Sequence, residues 1–183
     1  RDGRSRVRHL MGEQQMSRNN RTARKAGPEF EQAVVNYLAW ALNDDRIVRM
    51  PKHGSNDMGD IANIRFMGQR ICLECKSLSK NSWKGPLDEA RDEAANLDAP
   101  FYWVVSKRPG VGLTAGSMGR QLAYTDAEML SIMREEAPKD VFIQNTGNFR
   151  RIPRTPFPSC DLKSLALILN HGIELGPEAD DAE

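Results

Sequence analysis

Asp60, Glu74 and Lys76 have the types and spacing for chemistry on a phosphate ester. Hydrolysis of a phosphodiester needs charge stabilised on the scissile phosphate, a nucleophilic water, and both held in line. Magnesium meets the first need when one or two carboxylates hold it and it keeps several waters. A lysine beside it can orient or help deprotonate a water, the more so if burial and the metal depress its pKa. On a strand Glu74 and Lys76 leave the same face, while Ile71, Leu73 and Cys75 form an apolar backing. The expected metal ligands are Asp60, Glu74 and the carbonyl of Cys75, with Mg2+ as the ion and Mn2+ able to substitute. Glu31 is a further candidate acid, acting from a helix through water. Asp57 competes with Asp60 for the first position. The acid-x-Lys pattern is weak alone, since Asp161-Leu162-Lys163 matches it too. A surface ion pair between Glu74 and Lys76 would be worth little, but the run Ile71–Cys75 is too apolar for an exposed edge.

These residues need particular elements to position them. Gly27-Pro28 opens a helix whose apolar residues Phe30, Val34, Leu38, Ala41 and Leu42 recur on one face. Arg46–Met50 reads as a short strand stopped by Pro51. The segment 52–57 is a polar loop, Asp60–Phe66 a strand, Met67-Gly68-Gln69 a turn and Arg70–Ser77 the partner strand. A second helix begins at Gly85-Pro86, with Asp88 and Glu89 in its first turn and Leu87, Ala90, Ala94 and Leu97 as its stripe. Phe101–Val105 is the strongest buried-strand signal. Thr125 with Glu128 suggests a capping box for a helix over 126–136 that buries Met129, Ile132 and Met133. Val141–Ile143 reads as a strand, Trp83 as a packing anchor, and Leu162–Leu169 as a closing helix or strand. The expected fold class is α/β, a central mixed sheet flanked by helices.

At 183 residues the chain suits one domain with tails. We expect a basic disordered arm over 1–26, a domain over 27–175 with its core in 27–108, and an acidic tail over 176–183. No apolar run nears the roughly 18 residues that span a bilayer, so the expectation is a soluble, cytoplasmic protein without a membrane partner. Cys72 and Cys75 make a C-x-x-C, but residues three apart on a strand point oppositely. The three cysteines are therefore expected to be plain buried thiols. The net charge of +1 hides a segregation, with eight Lys or Arg before Gly27 and five acids in the last ten residues. Such a basic arm suits phosphate contact. So do His53 and Ser55 in the loop before Asp60, and Lys107 and Arg108 after the Phe101–Val105 strand.

The order Gly27-Pro28-Glu29-Phe30-Glu31, then Gly54 to Asp60-Ile61-Ala62, then Glu74-Cys75-Lys76 resembles the PD-(D/E)xK nuclease superfamily. Within it the pattern is most similar to Holliday junction resolvases of archaeal type and related phage-encoded endonucleases. The resemblance spans about residues 27–108. It implies a restriction-endonuclease-like αβββαβ core, magnesium dependence and a homodimer acting on branched, four-way DNA, in the host cytoplasm if phage-encoded. By position it makes Asp60 and Glu74 metal ligands, Lys76 the catalytic lysine and Glu31 the helical acid. The proline that precedes the first acid in the superfamily is replaced here by Gly59. The alternatives are a restriction- or repair-type nuclease on linear DNA and a catalytically silent DNA-binding module.

Overall fold

The computed structural model describes residues 26–51, 57–77, 82–138, 141 and 155–177. Most of the basic arm, the loop containing His53 and Ser55, Phe142-Ile143, the Arg150-Arg151-Arg154 cluster and the end of the acidic tail lie outside the described residues.

Helix α1 (26–41) turns Phe30, Val34, Leu38 and Ala41 inward, each fully buried. A five-stranded mixed sheet forms the centre, in the order β3 (Arg65–Phe66), β4 (Gln69–Lys76), β5 (Phe101–Ser106), β6 (Leu122–Tyr124) and β7 (Ser159–Asp161). Only β4 and β5 are parallel, in the register Ile71↔Phe101 to Lys76↔Ser106. A parallel pair needs a crossover, which α2 (Lys84–Leu97) supplies. Every residue of β5 is buried, as an aromatic and β-branched run covered on both faces should be. A two-stranded ribbon, β1 (Val48–Arg49) with β2 (Ile61–Ala62), lies beside β4. Further helices among the described residues are α3 (Ala115–Met118), α4 (Ala127–Glu136) and α5 (Leu162–Leu169). No helix among the described residues is long and apolar enough to cross a membrane.

Several expectations change in detail. The strand expected over Asp60–Phe66 is two short strands, because Asn63 takes a left-handed φ of 68° between them. The hairpin loop is Met67-Gly68 alone, both at positive φ, and Gln69 already pairs with Phe66. That is the backbone demanded by a two-residue turn between right-twisted strands. Helix α2 starts at Lys84, which moves Asp88 and Glu89 out of its first turn. Asp126, not Thr125, caps α4 by accepting from the Met129 N–H at 2.8 Å, while the Thr125 hydroxyl donates to the Tyr102 carbonyl. Ile132 is exposed, and Leu130 is buried in its place. Val141 is helical rather than extended. Trp83 packs edge-on against Tyr124 at 5.4 Å. Asp161 caps α5 through the Ser164 N–H, which gives the second acid-x-Lys match a purely helical role.

Candidate functional site

Strand β4 lies between β3 and β5, and Ile71 to Cys75 are all buried. Its alternation sends Glu74 and Lys76 to one face, where the Lys76 ammonium forms an ion pair with Glu74. Helix α2 covers that face. Glu89 Oε2 lies 2.6 Å from Lys76 Nζ, and the Glu93 carboxyl is hydrogen-bonded to that of Glu74. Farther along, Arg70 Nη1 donates to the Leu97 carbonyl at 3.0 Å. The helix thus runs antiparallel to β4. Four helical residues rise about 6 Å and two strand residues about 6.6 Å, so acids at 89 and 93 meet Lys76 and Glu74.

Asp60 enters from the strand edge. Its N–H donates to the Leu73 carbonyl at 3.0 Å, and its own carbonyl accepts from the Met50 N–H at 2.8 Å. Its Oδ2 accepts from the Cys75 N–H at 2.8 Å. Residues two apart on a strand turn their backbone groups to the same neighbour, so the Cys75 carbonyl faces Asp60's edge with that of Leu73. The approach depends on Gly59, at φ +87°, where a Cβ would lie 2.8 Å from Cys72 Sγ and 3.3 Å from the Leu73 carbonyl oxygen. Proline, with φ locked near −65°, cannot take that conformation. The competing Asp57 is exposed, and its Oδ1 accepts from the Met58 N–H.

Glu31 turns inward from α1, 8% exposed, whereas Glu29 is exposed. Its partner is Arg49 on β1. Lys107 follows β5 at the same end of the sheet as Lys76, and its N–H donates to the Lys76 carbonyl at 2.9 Å. Arg108 is held away from its neighbour by its N–H to Gln121 Oε1 and by Nη1 to the Arg120 carbonyl. Among the described residues neither side chain has an ion-pair partner.

The electrostatics follow from packing acids together. Burial and the charge of Glu74 push Asp60 up to about 7, against the Cys75 N–H, with Glu31 adding to the rise. Burial and the Glu93 hydrogen bond push Glu74 up to about 8, although Lys76 opposes them. Burial likewise raises Glu93. Burial alone would depress Lys76, but its hydrogen bonds to Glu74 and Glu89 outweigh that and hold it well above the usual lysine range. In the chain without a bound ion, Lys76 is therefore a cation held by Glu74 and Glu89. The cysteines are free and buried, and burial raises all three thiols, which makes them unreactive.

Burial, which Lys76 only partly offsets at Glu74, raises the proton affinity of these carboxylates. One buried oxygen, Glu93 Oε2, has no hydrogen-bond partner among the described residues. Hard oxygen donors of this kind suit a divalent ion. Among the described residues no three His, Cys, Asp or Glu side chains converge to hold one ion. The oxygen donors at this end of the sheet that could take part in holding an ion are the Asp60 and Glu74 carboxylates and the Cys75 carbonyl.

Sequence reasoning missed Arg49, Glu89 and Glu93. Glu93 left a signal, as an acid three residues after Ala90 and four before Leu97 on the apolar stripe. Arg49 and Glu89 left none. No family model, curated protein or solved structure matches this chain.

Proposed function

We propose that the chain is a magnesium-dependent, structure-selective DNA endonuclease of the PD-(D/E)xK kind, acting as a homodimer on branched DNA such as a four-way junction. The observation that carries the reading is the meeting of Asp60 and Glu74 at one strand end, with Lys76 on the same face. The order of elements around them supports it: a helix bearing Glu31, a ribbon and hairpin bearing Asp60 and Glu74, then α2 and β5, as a restriction-endonuclease-like core would require. The glycine in place of the superfamily's proline fits a chain that lies flat on β4 at a positive φ.

When bound by Asp60 and Glu74, a divalent ion supplies charge stabilisation at the phosphate and lowers the pKa of a water. Asp60 is oriented for that task by the Cys75 N–H, which holds Oδ2 beside the strand end. Lys76, cationic and placed by Glu74 and Glu89, acts as a positive charge that orients water or phosphate and not as the base. Lys107, beside the Lys76 backbone, and Arg108 bind flanking phosphates, as do His53 and Ser55 from the loop before Asp60.

The test is purified protein with a synthetic four-way junction, a linear duplex and a single strand, with and without Mg2+. Paired symmetrical nicks confined to the junction support the proposal. Cutting of linear duplex transfers it to a restriction- or repair-type enzyme. Binding with no cleavage in either Mg2+ or Mn2+ leaves a DNA-binding module and overturns the enzyme.

A further inference from the structure

Helix α2 carries an acid that no motif connects with Asp60 and Glu74. Glu93 is 9% exposed, on the face that packs over β4. Its carboxyl lies against that of Glu74, and Oε2 is buried with no hydrogen-bond donor among the described residues. An unsatisfied buried carboxylate oxygen is among the more costly features a fold can hold. A purely structural acid at this stripe position would gain by finding a donor, or by being an alanine like its neighbours Ala90 and Ala94. The charges that act on Glu93 are Glu74, Asp57, Lys76 and Asp60. Three of those four are acids and the fourth, Lys76, is paired with Glu74 and Glu89, so Oε2 itself has no donor.

We propose that Glu93 is the third carboxylate of the divalent-cation site, accepting through Oε2 from a water carried by the ion that Asp60 and Glu74 hold. The inference rests on the metal-site reading given above. The role is assigned through water because among the described residues no three such side chains converge on one point and magnesium dehydrates reluctantly. An acceptor of this kind orients the coordinated water and tightens the ion, and losing one typically costs about 10–100-fold in metal affinity.

The experiment uses the full chain without DNA, titrated with Mn2+ alone by isothermal calorimetry, with thermal midpoints measured in EDTA and in saturating Mn2+. Glu93→Gln should weaken Mn2+ binding by about 10–100-fold and shrink the Mn2+-induced rise in midpoint. Its midpoint in EDTA should equal or exceed that of the parent, since an unsatisfied buried carboxylate has gone. Asp60→Asn serves as the control that removes a direct ligand. Parent-like Mn2+ affinity in Glu93→Gln, with Asp60→Asn impaired, overturns the role of Glu93 and leaves the site itself standing. Absence of Mn2+ binding to the parent overturns both. Should Glu93→Gln not fold, Glu93→Asp retracts the oxygen by one methylene and is read in the same titration: weakened binding supports the proposal, and unchanged binding overturns it.

Discussion

Raising the pH should destabilise this protein when divalent ions are removed, in the range where most proteins are at their most stable. Asp60 rises from an ordinary value of 3.8 to about 7 in the fold. A carboxyl whose folded pKa lies above its unfolded one binds its proton more tightly when folded. Between those values the folded state therefore holds more protons, and stability falls as pH rises. The stabilisation from the protonated form is complete below pH 4 and is lost progressively up to about pH 7. One proton corresponds to about 1.4 kcal/mol per pH unit, so Asp60 alone sets a ceiling of about 4 kcal/mol. Glu74, raised to about 8, extends the window upward. Its contribution does not simply add, because its charge is one cause of the Asp60 shift. Asp44 and Asp126 are lowered, and their opposite effect falls below pH 4, outside the window. Against a typical stability of about 5–15 kcal/mol, a loss of a few kcal/mol between pH 5 and 7.5 is large. Urea denaturation in EDTA at half-unit pH steps measures it. The parent should lose stability with a slope of between one and two protons, since Asp60 and Glu74 both hold protons in the fold that the unfolded chain has released. Asp60→Asn should reduce that slope, and saturating Mg2+ should flatten it in the parent by binding the ionised carboxylates. Stability that is level or rising from pH 5 to 7.5 in EDTA would refute the picture of a buried acid pocket with raised proton affinity.

Other expectations are simpler to read. Asp60→Ala or Glu74→Ala should abolish cutting of a four-way junction, while the junction Kd measured in Ca2+ or EDTA moves by less than about threefold, because phosphate contacts by basic residues carry most of the affinity. Gly59→Ala should cost at least about 1–3 kcal/mol in urea denaturation, from a left-handed φ and a Cβ at 2.8 Å from Cys72 Sγ. Adding Cys72→Ala should restore only part of this, since the Leu73 carbonyl still crowds the new methyl. Asp126→Ala removes the cap of α4 and the acceptor shared by Arg91 and Tyr102, and should cost about 1–2 kcal/mol with no change in divalent-ion affinity by calorimetry.

Local rules worked where one element decides the outcome. The alternation Ile71-Cys72-Leu73-Glu74-Cys75-Lys76 needs only the period of a strand to place Glu74 with Lys76, and Gly68 needs only its freedom at positive φ to mark the turn. Local rules failed where two neighbouring residues compete for one role. Thr125 and Asp126 are both good helix caps. The choice fell to Asp126 because the Tyr102 carbonyl takes the Thr125 hydroxyl, a contact 23 residues away. Ile132 had the spacing of a buried residue, but the groove against β5 receives Met129, Leu130 and Met133, with Met133 Sδ accepting from the Trp103 indole N–H at 3.0 Å.

The site shows the same division more sharply. Asp60, Glu74 and Lys76 can be picked out by type, yet their electrostatic state comes from α2, and the strand's own sequence says nothing of it. A helix laid antiparallel on a strand brings every fourth residue against every second one, with a mismatch near half an ångström per step. Over the single step from Lys76 to Glu74 that mismatch is negligible, which is why Glu89 and Glu93 both find partners. The consequence is the charge state of Lys76 in the metal-free chain. Read along the strand, it is a lysine beside one acid, open to being depressed by burial. With Glu89 on its other side it holds its proton, and the groups whose proton affinity burial raises are Asp60, Glu74 and Glu93. Proton affinity in this pocket thus resides in the carboxylates, where a divalent ion would compete for it, and Lys76 remains a charge of fixed sign.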